Sequence, residues 1–173
     1  MKHIILIGYK SVGKSAIGRE LAMRAGLSFI DLDDQVEKLY VQRFTTPANC
    51  RQIMQNIGPL AFRELEHEAL EGVLKNVASC VISLGGGTPL LRKNKILIKK
   101  HTVIQITAPK NIVFERIMIN GKPAFFPAGE QALVSFNRTW ADRAGVYDAL
   151  ATIKVENSGS LDETVRIIKE KMN

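Results

Sequence analysis

The sequence predicts an α/β protein, a three-layer sandwich whose five-stranded parallel sheet is covered by helices on both faces. Three observations predict it. Short apolar runs alternate with amphipathic stretches along the whole chain, as strands and crossover helices do in a parallel sheet. The runs are near-continuously apolar, the pattern of strands buried on both sides. The first run leads directly into G-Y-K-S-V-G-K-S at positions 8–15, a complete G-x-x-x-x-G-K-[ST] loop between strand and helix.

Taken in order, residues 2–7 (KHIILI) form the first apolar run and end in Gly8. Residues 15–25 carry Ile17, Leu21, Ala22 and Ala25 on one helical face, with Gly26 just past the end. Residues 29–31 are the second strand, and an acidic helix follows over 33–40. Gly58-Pro59 reads as cap and first position of a helix with Leu65, Ala69, Leu70, Val73, Leu74 and Val77 on its buried stripe. Residues 80–84 and the β-branched run 102–106 are the next strands. A helix is expected over 109–119, a loop over 121–129 with Pro123 and Pro127, and a helix over 130–151 burying Leu133, Phe136, Trp140, Ala144 and Tyr147. Residues 152–155 make the last strand, and Ser160 with Glu163 forms a capping box that opens the terminal helix. Segments 40–58 and 121–129 fit the alternation least, and such excursions commonly carry binding loops or lids.

At 173 residues the chain is one domain's worth, with no visible interdomain linker. The run at 4–7 is too short for a signal peptide and nothing reaches the roughly 20 apolar residues of a spanning helix, so a cytoplasmic location and no membrane partner are expected. Cys50 and Cys80 are too few for a disulfide framework or zinc site, and Cys80 reads as a small core residue. The net charge of +7 favours acidic partners without choosing among them. Lys93, Lys95, Lys99 and Lys100 read as a solvated face. With 6% aromatics and none interleaved there, nucleic acid is not an expected partner.

The 8–15 loop lets backbone amides turn inward and cradle phosphate at a helix N-terminus, so residues Ser11, Val12, Gly13, Lys14, Ser15 and Ala16 are expected to bind nucleotide. Lys14 can reach the β- and γ-phosphates of ATP, and Ser15 can ligate Mg²⁺. A GTPase would need N-K-x-D, and Asn94-Lys95-Ile96-Leu97 lacks the aspartate. Asp31 and Asp33 lie at the carboxyl end of a strand, where ligands bind open parallel sheets, and two residues apart they share a face. They equally suit the first turn of the following helix. Arg63 and Glu66 could be a surface i,i+3 pair. Gly85-Gly86-Gly87 is either a permissive turn or a place where backbone approaches a ligand.

Five segments in order, GYKSVGKSAIGRELA at 8–22, FIDLD at 29–33, FRELE at 62–66, VISLGGG at 81–87 and RAGVY at 143–147, resemble the signature of shikimate kinases across essentially the whole chain. The resemblance implies a P-loop NTPase-type kinase domain over 1–173, with a helical substrate-binding excursion at about 33–62 and a lid at about 112–128. It implies ATP-dependent phosphorylation of the shikimate 3-hydroxyl by a monomeric enzyme, with ATP and Mg²⁺ as cofactors. Asp31 would lie near Mg²⁺ with Ser15. Asp33 would accept hydrogen bonds from acceptor hydroxyls and take the proton. Arg63, oriented by Glu66, and Arg143 would bind the carboxylate, a planar group suited to a guanidinium fork. Gly86, flanked by Gly85 and Gly87, would contact shikimate.

Two places depart from the family pattern. The lid presents Lys122-Pro-Ala-Phe-Phe where an arginine usually precedes Pro-Leu-Leu, keeping the charge without the fork, and Lys122 is expected to serve catalysis and ATP. The segment around 41–50 is longer than the pattern. Arg116 could pack on adenine or lie on a helix surface, and residues 157–159 are a second candidate for the adenine loop. Rival readings are another small-acceptor kinase, of gluconate or nucleoside-monophosphate type, and a non-catalytic nucleotide-binding regulatory module.

Overall fold

In the computed structural model, which describes residues 2–119 and 121–172, five strands form one all-parallel sheet in the order β2-β3-β1-β4-β5. The strands are β1 (Ile4–Ile7), β2 (Ser28–Asp31), β3 (Cys80–Ser83), β4 (Thr102–Thr107) and β5 (Ile153–Glu156). Every side chain of β1 and β3 is buried. Successive side chains of a strand point to opposite faces, so both faces of the central sheet are covered. The helices are α1 (Lys14–Ala25), α2 (Leu32–Phe44), α3 (Cys50–Asn76), α4 (Arg92–Ile98), α5 (Lys110–Ile119), α6 (Ala132–Leu150) and α7 (Leu161–Met172). α1 packs on β3 and α7, and α2 packs on α3.

Local chemistry ends each element where the sequence suggests. Gly26 caps α1 at φ 64°, a conformation that glycine adopts without strain. Ser160 Oγ accepts from the Glu163 amide at 3.2 Å at the start of α7. Cys80 is fully buried and packs its thiol on His3 Nδ1 at 3.3 Å.

β2 stops at Asp31, which N-caps α2, so Asp33 sits in that helix's first turn, one of the two placements the sequence allows. Three expectations change. The acidic helix runs on to Phe44, and a helical segment beginning at Cys50 precedes Gly58, where the chain kinks at φ 79° before Pro59 resumes the helix. Leu133 is 52% exposed because it lies on the outer side of α6's first turn, while Ser135 and Phe136 face inward. The lysine-rich stretch holds a helix, α4, that buries Asn94 and Ile98 and leaves Lys99 and Lys100 outside. Among the described residues no helix is long and apolar enough to cross a membrane.

Sheet order places the site. β1 lies between β3 and β4, so the loops leaving β1, β2 and β3 open side by side at the carboxyl edge.

Candidate active site

A cavity of about 260 Å³ opens at that edge. Its walls come from the phosphate loop, the Asp31–Asp33 turn, both halves of α3, the loop from Ser83 to Gly87, the lid and Arg143.

The phosphate loop is built for an anion. Gly8 and Gly13 have φ of 145° and 98°, and Ser11 has φ 65°. A Cβ on Gly8 would collide with the Ile106 carbonyl, and one on Gly13 would come within 2.5 Å of Asn157 Nδ2. The Asn157 amide in turn donates to Val12 O at 2.9 Å, so the loop is braced from beneath by the end of β5. α1 has no side-chain cap and no acidic residue in its first turn. Its leading amides, ahead of the Ile17 N–H that bonds Gly13 O at 3.0 Å, are the free donors of a helix N-terminus. Lys14 is 8% exposed and donates to Gly8 O at 3.1 Å and Tyr9 O at 2.8 Å. Burial lowers its pKa to about 8, against the pull of Asp33 and Asp31.

Asp31 works in two directions. Oδ1 accepts from the Asp33 amide at 3.2 Å and caps α2, while Oδ2 accepts from Ser15 Oγ at 2.6 Å. The helix-cap reading is realised in Asp31, whose second oxygen is turned to the phosphate loop. Ser83 Oγ stands 3.5 Å from Ser15 Oγ. This cluster of hard oxygens fits Mg²⁺, which usually takes one or two protein ligands and fills its octahedron with phosphate and water. Among the described residues no group of three or more His, Cys, Asp or Glu side chains forms a self-sufficient metal cage. Asp33 has its pKa raised to about 6, first by burial, then by Asp31 and Glu66, with Lys14 and Lys10 opposing.

Arg63 pairs with Glu66, which is 2% exposed and also accepts from Thr88 Oγ1 at 2.6 Å. The i,i+3 pair is thus an oriented guanidinium on a buried carboxylate, not surface decoration. Arg143 is 6% exposed, its guanidinium 4.4 Å from the Phe125 ring centre and 5.2 Å from that of Tyr9. The glycine run explains how both arginines fit. A Cβ on Gly86 would sit 3.4 Å from Arg143 Nη1, and one on Gly87 would collide with the Arg63 guanidinium. A Cβ on Gly85 would lie 2.9 Å from Asp33 Oδ1. Tyr147, its pKa pushed up to about 12 by burial, fixes the turn by donating to Gly86 O at 2.5 Å.

The structure gathers Ser11, Lys14, Ser15, Asp31, Asp33, Arg63, Gly85, Gly86, Gly87 and Arg143 around one cavity. Val12 is buried behind the loop and Gly13 precedes the helix, while Ala16 is exposed in its first turn, so each can offer only backbone. Lys122 does not line the cavity. Its ammonium donates to Pro127 O and Glu130 O, each at 2.8 Å, because the lid folds its own carbonyls round it. Arg116 Nη1 reaches Ser11 O at 3.4 Å, beside the phosphate loop. Residues 112–119 of the expected lid belong to α5, and irregular backbone begins at Gly121. The sequence does not single out Tyr9, Phe125 or Arg51 as side chains of the site, and it marks Asn157 only as part of a candidate adenine loop, by its place just after the last strand.

The shikimate kinase family matches residues 10–173. The chain belongs to the shikimate kinase family. A shikimate kinase of Pelotomaculum thermopropionicum is 35% identical over 97% of this chain and 94% of its own. Another, of Flavobacterium johnsoniae, is 29% identical over 97% of both chains. The solved structure of shikimate kinase from Acinetobacter baumannii in complex with shikimate superposes with a TM-score of 0.87 at 23% identity, over 99% of this chain and 93% of that one, a likeness of fold.

Proposed function

We propose that this shikimate kinase family member moves the γ-phosphoryl group of ATP to the 3-hydroxyl of shikimate. The observation that carries the reading is the 86–87 turn, where adjacent glycines each back one arginine, so that two guanidiniums face a small cavity beside Asp33. One carboxylate on a polyhydroxylated ring matches that set: forks for the acid and a carboxylate for the hydroxyls.

ATP phosphates bind at Ser11–Ala16, where Lys14 exchanges its loop carbonyls for β- and γ-oxygens. Mg²⁺, held by Ser15 with Asp31 close by, would supply charge neutralisation at the phosphates. Asp33 orients the acceptor hydroxyl and takes its proton, its raised pKa keeping it near the working pH. Transfer is largely a matter of positioning and electrostatics, and Lys14 is the fixed cation. Lys122 contributes once it trades Pro127 O and Glu130 O for phosphate oxygens. Arg116, beside the loop, packs toward the adenosine end.

A coupled ADP-release assay with shikimate, gluconate and nucleoside monophosphates tests the reading. Shikimate should give release far above the water background. Release with gluconate or a nucleotide but not with shikimate would reassign the acceptor, and release with none would leave a binding module.

A further inference from the structure

The chain departs from its family pattern at two places, the lengthened segment before α3 and the lid lysine. In the fold Arg51, the residue just after the first of these, touches the second. A capping box between Asn49 and Gln52 starts α3, with Asn49 Oδ1 accepting the Gln52 amide at 3.0 Å and Gln52 Oε1 accepting the Asn49 amide at 2.9 Å. That box fixes Arg51, one residue inside the helix. From there Arg51 Nη2 donates to Lys122 O at 2.6 Å and to Gly121 O at 3.2 Å. Gly121 holds φ 80°, a conformation that costs glycine little. Arg51 also lines the cavity, next to Cys50 and Met54 on the same half-helix.

The other end of the lid is fastened differently. Glu130 is held to α6 by Arg138, at 2.5 and 2.8 Å, and by Ser135. Between those anchors, Pro123, Ala124 and Phe125 form part of the cavity wall. The Arg51 bonds therefore tie the leading end of the lid to the helix that bears the acceptor wall.

We propose that Arg51 is a latch, a positioning residue that joins the lid to the acceptor wall and so keeps water from the γ-phosphate. The reading rests on the kinase activity proposed above. An acceptor lying against Cys50, Met54 and Arg63 steadies this half-helix, and the half-helix steadies the lid. With the latch gone, the lid opens more often and water competes with the acceptor. Its oxygen attacks the γ-phosphorus, the bond to the β,γ-bridging oxygen breaks, ADP and inorganic phosphate leave, and the water proton passes to solvent.

The test compares wild type with Arg51→Met, similar in reach but without donors, and Arg51→Lys, whose ammonium can serve both carbonyls. Acceptor KM, ATP KM, and the ratio of ADP released to acceptor phosphorylated are measured on each. Arg51→Met should raise acceptor KM by about ten-fold, as expected for loss of charge-assisted bonds at a partly solvated site. It should also raise the ADP-to-product ratio and leave ATP KM unchanged, and Arg51→Lys should recover most of both losses. A merely structural residue would not move the ratio. Hydrogen exchange on residues 121–129 gives a second measure that needs only a folded wild type: acceptor without nucleotide should slow exchange there. An unchanged ratio and acceptor KM in Arg51→Met overturns the latch, as does a loss confined to ATP KM or a lid whose exchange ignores the acceptor. Wild-type turnover with shikimate, run in parallel, separates failure of the latch from failure of the acceptor assignment.

Discussion

Asp33→Asn should make the protein more stable and nearly inactive. Burial, Asp31 and Glu66 raise the Asp33 pKa from 3.8 to about 6. That rise corresponds to about 3 kcal/mol of native-state cost once the group ionises. Asp33 is only half-buried, so solvent screening cuts the recoverable part to about 1–2 kcal/mol. The folded value lies above the unfolded one, so the native state holds the extra proton between about pH 4 and pH 6, and stability falls as pH rises through that window. The neutral amide escapes this loss. Thermal unfolding at pH 8 should show a Tm gain of roughly 3–6 °C for the variant, shrinking toward zero near pH 4. Phosphoryl transfer should fall with the loss of the proton acceptor. An equal or lower Tm at pH 8, or a gain that is the same at pH 4, would refute the idea that ionised Asp33 is held at a cost for function.

Lys14→Ala should abolish turnover and keep a cooperative unfolding transition, since its proposed partners are phosphate oxygens and its present ones are two loop carbonyls; near-normal kcat would remove it from the site. Because burial lowers the Lys14 pKa to about 8 and phosphate favours the charged form, ATP KM should rise as pH climbs above 8. Arg63→Ala and Arg143→Ala should each weaken acceptor binding roughly ten- to hundred-fold by calorimetry, with ATP affinity little changed. Lys122→Ala should lower kcat on the order of ten-fold or more while Lys122→Arg keeps most activity; an unchanged kcat in the alanine variant would make its bonds to Pro127 O and Glu130 O the residue's whole role.

Much of this was legible because the relevant signals are local. The strand, glycine loop and helix at 4–25 lie within one contiguous motif, and Gly26 needs only its own φ to end the helix. For Asp31 and Asp33 the sequence allows a shared strand face or the first turn of the next helix, and they meet because one caps the helix that carries the other. Both geometries place residues two apart together, so spacing alone could not separate them. Leu133 misled because a periodic stripe does not say where the helix leaves the core. The direction of Lys122 was illegible, since its partners are carbonyls that any residue supplies. Arg51 was beyond reach for another reason: its lid contact spans 71 positions, and nothing local marks it.

Lys14, Asp33 and Arg143 each stand where a ligand would change what they touch. Lys14 is turned back onto Gly8 O and Tyr9 O, both of which a bound phosphate would replace. Asp33 sits among carboxylates that disfavour its charge, and donor hydroxyls beside it would ease that. Arg143 stands between the ring of Tyr9, in the phosphate loop, and the ring of Phe125, in the lid. An acceptor carboxylate on Arg143 would therefore bear on the nucleotide loop through one ring and on the lid through the other. Tyr147 extends the same helix's reach to the Gly86 carbonyl, so α6 meets the phosphate loop, the lid and the glycine turn through two residues one turn apart. Such an arrangement makes the two ligands' affinities interdependent, and thermodynamic linkage requires the dependence to be mutual. ATP should tighten acceptor binding by the same factor that acceptor tightens ATP. A titration of each ligand with and without a non-hydrolysable analogue of the other measures both factors, and the Tyr9–Arg143–Phe125 stack fails as the connection if Phe125→Ala leaves them unchanged.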